Sequence, residues 1–184
     1  MIPGERLLPE PLFYFHRHGI LTVSARDSRI QAMRLSANFS LVQLTDSETA
    51  RRNGIDNTPP TEIIGNLKRL AAGLEEVQAL LGAPLEISSG YRCAALNEAV
   101  GGTGNSQHVQ GLAADFVCPG FGSPMDIART IRQSKIDFDQ CILEFGRWVH
   151  LSFSDAPRGR VLTIYDPEDG YLAGLWDENG NPVA

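Results

Sequence analysis

The stretch SQHVQGLAADF, residues 106–116, decides how the rest of the chain is read. It places His108 seven residues before Asp115, with Gly111 and the small apolar run Leu112, Ala113 and Ala114 between them. From Gly111 onward, GLAADFVC alternates as a strand does. Leu112, Ala114 and Phe116 fall on one face, and Ala113, Asp115 and Val117 on the other. An ionised carboxylate on a buried sheet face is destabilising unless it is paired or holds a metal. Asp115 occupies such a place, and His108, just ahead of the Gly111 turn, is positioned to fold back beside it.

A second histidine, His150, lies in the apolar run WVHLSFS, with Glu144 six residues earlier in FDQCILEF. Six is even, so in one unbroken strand Glu144, Trp148 and His150 share a face. With a bend at Gly146-Arg147, Glu144 sits on a neighbouring strand instead, and both geometries permit proximity. Two histidines and one aspartate give three zinc ligands and leave the fourth position open, as in catalytic rather than structural zinc sites. A glutamate that is not a ligand is what such a site needs as general base. On spacing alone, a buried histidine satisfied by a core carboxylate stays an open alternative.

Upstream, LTDSETARRNG predicts a short helix capped by Asp46 or Ser47 and ended by Gly54. The strongest helix follows Pro59 and Pro60. Its apolar stripe is Ile63, Leu67, Leu70, Leu74, Val77, Leu80 and Leu81, and Gly82 closes it. LEISSGYR predicts a strand running into a Gly turn, and AALNEAVGG one or two helical turns. SPMDIARTIRQS predicts a helix with Ser123 as cap and Pro124 at its first position. One or two further strands are expected around the turn signals PEDG and ENGN. Helices come early and strands late, which predicts an α+β fold with a mainly antiparallel sheet flanked by helices.

Residues 1–34 differ from the rest, with Pro3, Pro9 and Pro11, several arginines and a short apolar run at 20–23. They are expected to be an N-terminal appendage to a domain over 35–184. His16 and His18 are spaced to share a strand face and bind metal, or to be solvated loop residues. The net charge of −6 argues against a nucleic-acid partner. No apolar run approaches a bilayer span. The first residues lack the pattern of a secretory signal, so synthesis in the cytoplasm is expected. Cys93, Cys118 and Cys141 are an odd set without CxxC spacing, expected as buried free thiols.

Five motifs occur in order: SGYR at 89–92, LN at 96–97, VGG at 100–102, SQHVQGLAAD at 106–115 and EFGRWVH at 144–150. Over roughly residues 35–154 they resemble the zinc D-Ala-D-Ala carboxypeptidase family, whose members include peptidoglycan carboxypeptidases, D-Ala-D-Ala dipeptidases and phage endolysins, and whose metal fold is shared with the hedgehog signalling domain. The resemblance implies one zinc ion held by His108, Asp115 and His150, with Glu144 as catalytic base. Here the chain has E-x(5)-H where the dipeptidases have E-x-x-H; Asp139 and Asp137 are the next acids. It implies that Arg92 faces the substrate and that Ser106 and Trp148 bind it, although Ser106 equally suits a turn cap and Trp148 a core position. The implied reaction is hydrolysis of a D-amino-acid-containing bond in the peptidoglycan stem peptide, as carboxypeptidase or endopeptidase, with phage-type release or a virion as one route to the wall. The alternative is a non-catalytic metal-binding or structural module that keeps the fold.

Overall fold

A computed structural model describes residues 33–183 of the chain. His16 and His18, read either as a metal pair or as solvated loop residues, and the apolar run at 20–23 lie outside the described residues. Met33 and Leu35 already pack against the core, and the Leu41 amide donates to the Met33 carbonyl.

The first helices are short and end-capped. In α1 (Leu41–Thr45), Ser40 and Gln43 form a reciprocal capping box. In α2 (Glu48–Asn53), Ser47 caps the start and Gly54, with φ 63°, ends it. A 3₁₀ turn over Thr61–Ile63 leads into α3 (Ile64–Leu81), which Gly82 ends at φ 67°. Leu67, Leu70, Leu74, Val77 and Leu81 are buried along one side of α3, whereas Leu80, expected in the same stripe, is 40% exposed. At about 100° per residue Leu80 falls roughly 100° from the stripe's centre, so helical geometry turns it outward.

Strand β1 (Glu86–Ser89) is followed by α4 (Ala94–Ala99), β2 (Ala113–Val117) and α5 (Pro124–Gln133). Ser123 and Asp126 cap α5 reciprocally, with proline in the first turn. Strands β3 (Gln140–Glu144), β4 (Trp148–Ser152), β5 (Arg160–Ile164) and β6 (Leu172–Ala173) complete a six-stranded sheet in the order β1-β2-β4-β3-β5-β6. Every pairing is antiparallel except β3 with β5. Beside it, β7 (Leu175–Trp176) and β8 (Pro182–Val183) form a two-stranded ribbon. The C-terminal part thus holds more strands than expected, and the fold is α+β with a mainly antiparallel sheet.

Period-two alternation gives the sheet two different faces. Ala114 and Phe116 of β2, Cys141 and Leu143 of β3, and Val149 and Leu151 of β4 enter one core with the apolar sides of α3 and α5. In α3, Gly73 leaves room for the Phe153 ring, which a Cβ would meet at 2.4 Å. The opposite face carries the residues between: Asp115, His150, Glu144, Ile142, Leu162 and Arg160. Cys118 and Cys141 are buried and Cys93 half-buried, all three free. Among the described residues, no helix is long and apolar enough to cross a membrane.

Candidate metal centre

One rung of the sheet sets the centre. Ser89 pairs with Asp115, Asp115 with His150, His150 with Ile142, and Ile142 with Leu162. Residues paired across strands point to the same side, so Asp115 and His150 emerge together on the face away from the core. His108 reaches them from the loop before β2. That loop turns at Gly111, whose φ is 68° and whose added Cβ would meet the Ile63 Cγ2 at 2.7 Å. Glycine is needed there for both reasons.

His108 Nε2 lies 3.1 Å from Asp115 Oδ1 and 3.1 Å from His150 Nδ1, and His150 Nδ1 lies 2.9 Å from Asp115 Oδ1. All three side chains are buried, at 2%, 6% and 7% exposure. The His108 Nδ1 lies 2.6 Å from the Gly90 carbonyl oxygen. A carbonyl only accepts, so Nδ1 carries the proton and Nε2 presents a lone pair to the centre. Burial pushes the His108 pKa down, against the pull of the Asp115 charge. Burial alone would raise Asp115, but His108 and His150 outweigh it and hold the carboxyl well below the usual carboxylate range. Its other oxygen accepts from Arg92 Nη2 at 2.7 Å.

Two acceptor atoms, His108 Nε2 and Asp115 Oδ1, therefore face each other, with His150 Nδ1 beside both. One proton on His150 Nδ1 can bridge to Asp115, but the contact between His108 Nε2 and Asp115 Oδ1 still sets acceptor against acceptor. A cation satisfies all three. In a tetrahedron with bonds of about 2.0–2.2 Å, neighbouring ligand atoms stand roughly 3.3–3.6 Å apart, so the triangle needs to open by only a few tenths of an ångström. The donor set fits a divalent metal such as zinc. Among the described residues, no other group of three or more His, Cys, Asp or Glu side chains is arranged to hold a metal ion.

Glu144 sits one step along the sheet. It pairs with Trp148 across the β3–β4 hairpin, diagonal to the pair of Ile142 and His150. The two-strand alternative for E-x(5)-H is thus the one adopted. The hairpin turns through Phe145 at φ 55° and Gly146 at φ 65°. A left-handed phenylalanine is strained, and this one stacks on Trp148 with ring centroids 5.3 Å apart. The Trp148 indole N–H donates to Glu144 Oε2 at 3.0 Å. Burial, with the Asp115 charge, raises the Glu144 pKa against the pull of His150, Trp148 and Arg92.

Arg92 is held by Asp115 and by Ser89, whose Oγ accepts from its Nε at 2.9 Å. Ser106 Oγ accepts from the His108 amide at 3.3 Å, so it caps the turn while also lining the cleft. Trp148 likewise lines the cleft while orienting Glu144. Asp139 is buried and taken up by Gln107, Ser154 and Arg158, and Asp137 is exposed away from the centre. The Gly90 carbonyl, the Trp148 donor and the Asp139–Arg158 pair went unread in the sequence. The first and last depend on contacts across 18 and 19 residues that no local pattern encodes, and the second on which end of the Trp148 indole the fold uses. His108, Asp115 and His150, with Arg92, Glu144 and Trp148, line one cleft of about 1610 Å³.

A family model described as Peptidase M15 matches residues 37–152. The chain belongs to the peptidase M15 family. Family membership makes it a metallopeptidase. The matched span runs through β4 and contains Arg92, His108, Asp115, Glu144 and His150. In this peptidase, β5 and everything after it lie beyond the match. No curated protein matches the chain.

Proposed function

We propose that this peptidase is a zinc enzyme that hydrolyses a D-amino-acid-containing bond of the peptidoglycan stem peptide. The observation that carries the reading is the convergence of three buried lone-pair donors, His108, Asp115 and His150, beside a glutamate of raised pKa in an open cleft. Bound by those three residues, zinc would supply Lewis-acid polarisation of a water and of the scissile carbonyl. Glu144 takes the proton of the attacking water and delivers it to the leaving amine, a task suited to a carboxylate whose pKa burial has raised. The Trp148 N–H fixes the direction of that carboxylate. Arg92, anchored by Ser89 and Asp115, offers its remaining N–H groups to the developing oxyanion. The cleft is larger than the roughly 300–1,000 Å³ of small-ligand sites and extends past the centre on both sides. That favours a substrate chain running through, and hence an endopeptidase over a carboxypeptidase. Residues 1–34 would be an appendage to the peptidase domain.

The test begins with elemental analysis of the purified protein and of His108→Ala. About one zinc per chain in the first and little in the second is expected. Glu144→Gln should keep its zinc and lose hydrolysis of cross-linked muropeptides by at least about 10²-fold. Zinc without any hydrolysis in the wild type would favour the alternative, a binding module that keeps the site. No zinc after reconstitution would overturn the proposal.

A further inference from the structure

Four arginines line the cleft, and three of them are engaged. Arg51 pairs with Asp46, Arg92 with Asp115 and Arg158 with Asp139. The fourth, Arg160, is exposed and has no carboxylate partner among the described residues. Its direction follows from the strand. Val161 packs against the core, so Arg160 and Leu162 turn to the cleft, and both line it. Arg160 pairs with Gln140, another cleft residue, one step along the sheet from the rung of Asp115, His150, Ile142 and Leu162. Its backbone N–H donates to the Asp139 carbonyl at 3.0 Å, which fixes the strand there.

Two strand spacings across and two residues along place the Arg160 backbone roughly 12 Å from that of His150. An extended peptide covers this in about three residues, and the arginine side chain reaches part of the way back. We infer that Arg160 is a specificity residue that binds a free carboxylate of the substrate, two to three residues from the scissile bond. Gln140 is placed to add an amide donor. A guanidinium on a rigid strand suits a carboxylate, which it can grip with two parallel hydrogen bonds, and disfavours an amidated one. Peptidoglycan stem peptides carry such carboxylates free or amidated, so the enzyme would discriminate between walls on that basis. The inference rests on the peptidase reading.

The test is built to separate the two. Two synthetic cross-linked stem-peptide dimers, identical except for a free or amidated carboxylate at the second residue, are titrated against Glu144→Gln and against Glu144→Gln/Arg160→Gln. Hydrolysis of both peptides by the wild type and by Arg160→Gln is followed in parallel. The free acid should bind Glu144→Gln about tenfold more tightly than the amide, and loss of Arg160 should remove that preference while leaving the amide unchanged. In hydrolysis the same change should appear in KM rather than kcat. Equal affinities, binding of neither peptide, or a preference that survives Arg160→Gln would overturn the subsite. Equal cleavage of both peptides would do so while leaving the peptidase standing. A retained affinity difference without any cleavage would support the subsite and sink the peptidase. An unchanged thermal midpoint in Arg160→Gln shows that the exposed side chain has no part in folding.

Discussion

Glu144 owes its direction to one hydrogen bond from the Trp148 indole at 3.0 Å. That bond is charge-assisted when the carboxylate is ionised, and such bonds contribute roughly 1.5–3 kcal/mol. Trp148→Phe keeps the aromatic contact with Phe145 but removes the donor. It should lower kcat about tenfold, equivalent to about 1.4 kcal/mol of barrier, with KM and zinc content little changed. Steady-state kinetics with a muropeptide substrate would check this; an unaltered kcat would mean that Glu144 is oriented by something else, or that it is not the base. At this scale the sequence was legible where chemistry is carried by residue type. His108, Asp115 and His150 stood out because a histidine or an acid is conspicuous in an apolar strand. Trp148 was legible only as a substrate-binding or core residue and not as the donor to Glu144, because its indole has an apolar body and a polar tip, and only the fold decides which one matters.

Elements were legible where their ends are chemically marked. Ser47, Gly54, Gly82, Ser123 and Pro124 each sit at the expected helix end. The placement of β5 was not legible. Nothing in RVLTI states that it lies parallel to β3, because strand pairing over this distance is set by the whole sheet. The element that most constrains the centre is the loop from Ser106 to Leu112. It carries His108, and its turn depends on Gly111. Alanine there meets a left-handed backbone that disfavours it by roughly 1–2 kcal/mol, and a Cβ too close to Ile63. Gly111→Ala should therefore lose about 2–3 kcal/mol in urea unfolding and retain zinc poorly, since His108 is displaced with the loop. Stability within 0.5 kcal/mol of wild type, as for an ordinary surface substitution, would show that the loop can rearrange at little cost.

At the scale of the molecule, Asp139 joins segments that are far apart in the chain. Gln107, next to His108, donates to its carboxylate at 2.8 Å, and Arg158 grips it from the segment leading into β5. The matched family span ends at residue 152, so this buried acid ties the metal loop to the part of the cleft that carries Arg160. Hydrogen bonding by Arg158, aided by Gln107 and Ser154 and opposed by burial, holds its carboxyl at about 2. In the unfolded chain an aspartate titrates near 3.9. The folded value is the lower one, so the stabilisation is complete above about pH 4 and is lost as pH falls through 2. The full shift corresponds to about 2.5 kcal/mol, but the Arg158 side chain is 49% exposed and solvent screens it, which leaves roughly 1–2 kcal/mol. Asp139→Asn keeps the shape and removes the charge. Urea unfolding of both proteins at pH 7, 4, 3 and 2 should give a gap in stability that is constant from 7 to about 4 and then closes by roughly that amount. Comparing the two proteins cancels the acid titration of every other carboxylate. A gap that does not narrow would mean that Asp139 contributes by packing alone, and that the metal loop and the Arg160 end of the cleft are not coupled through its charge.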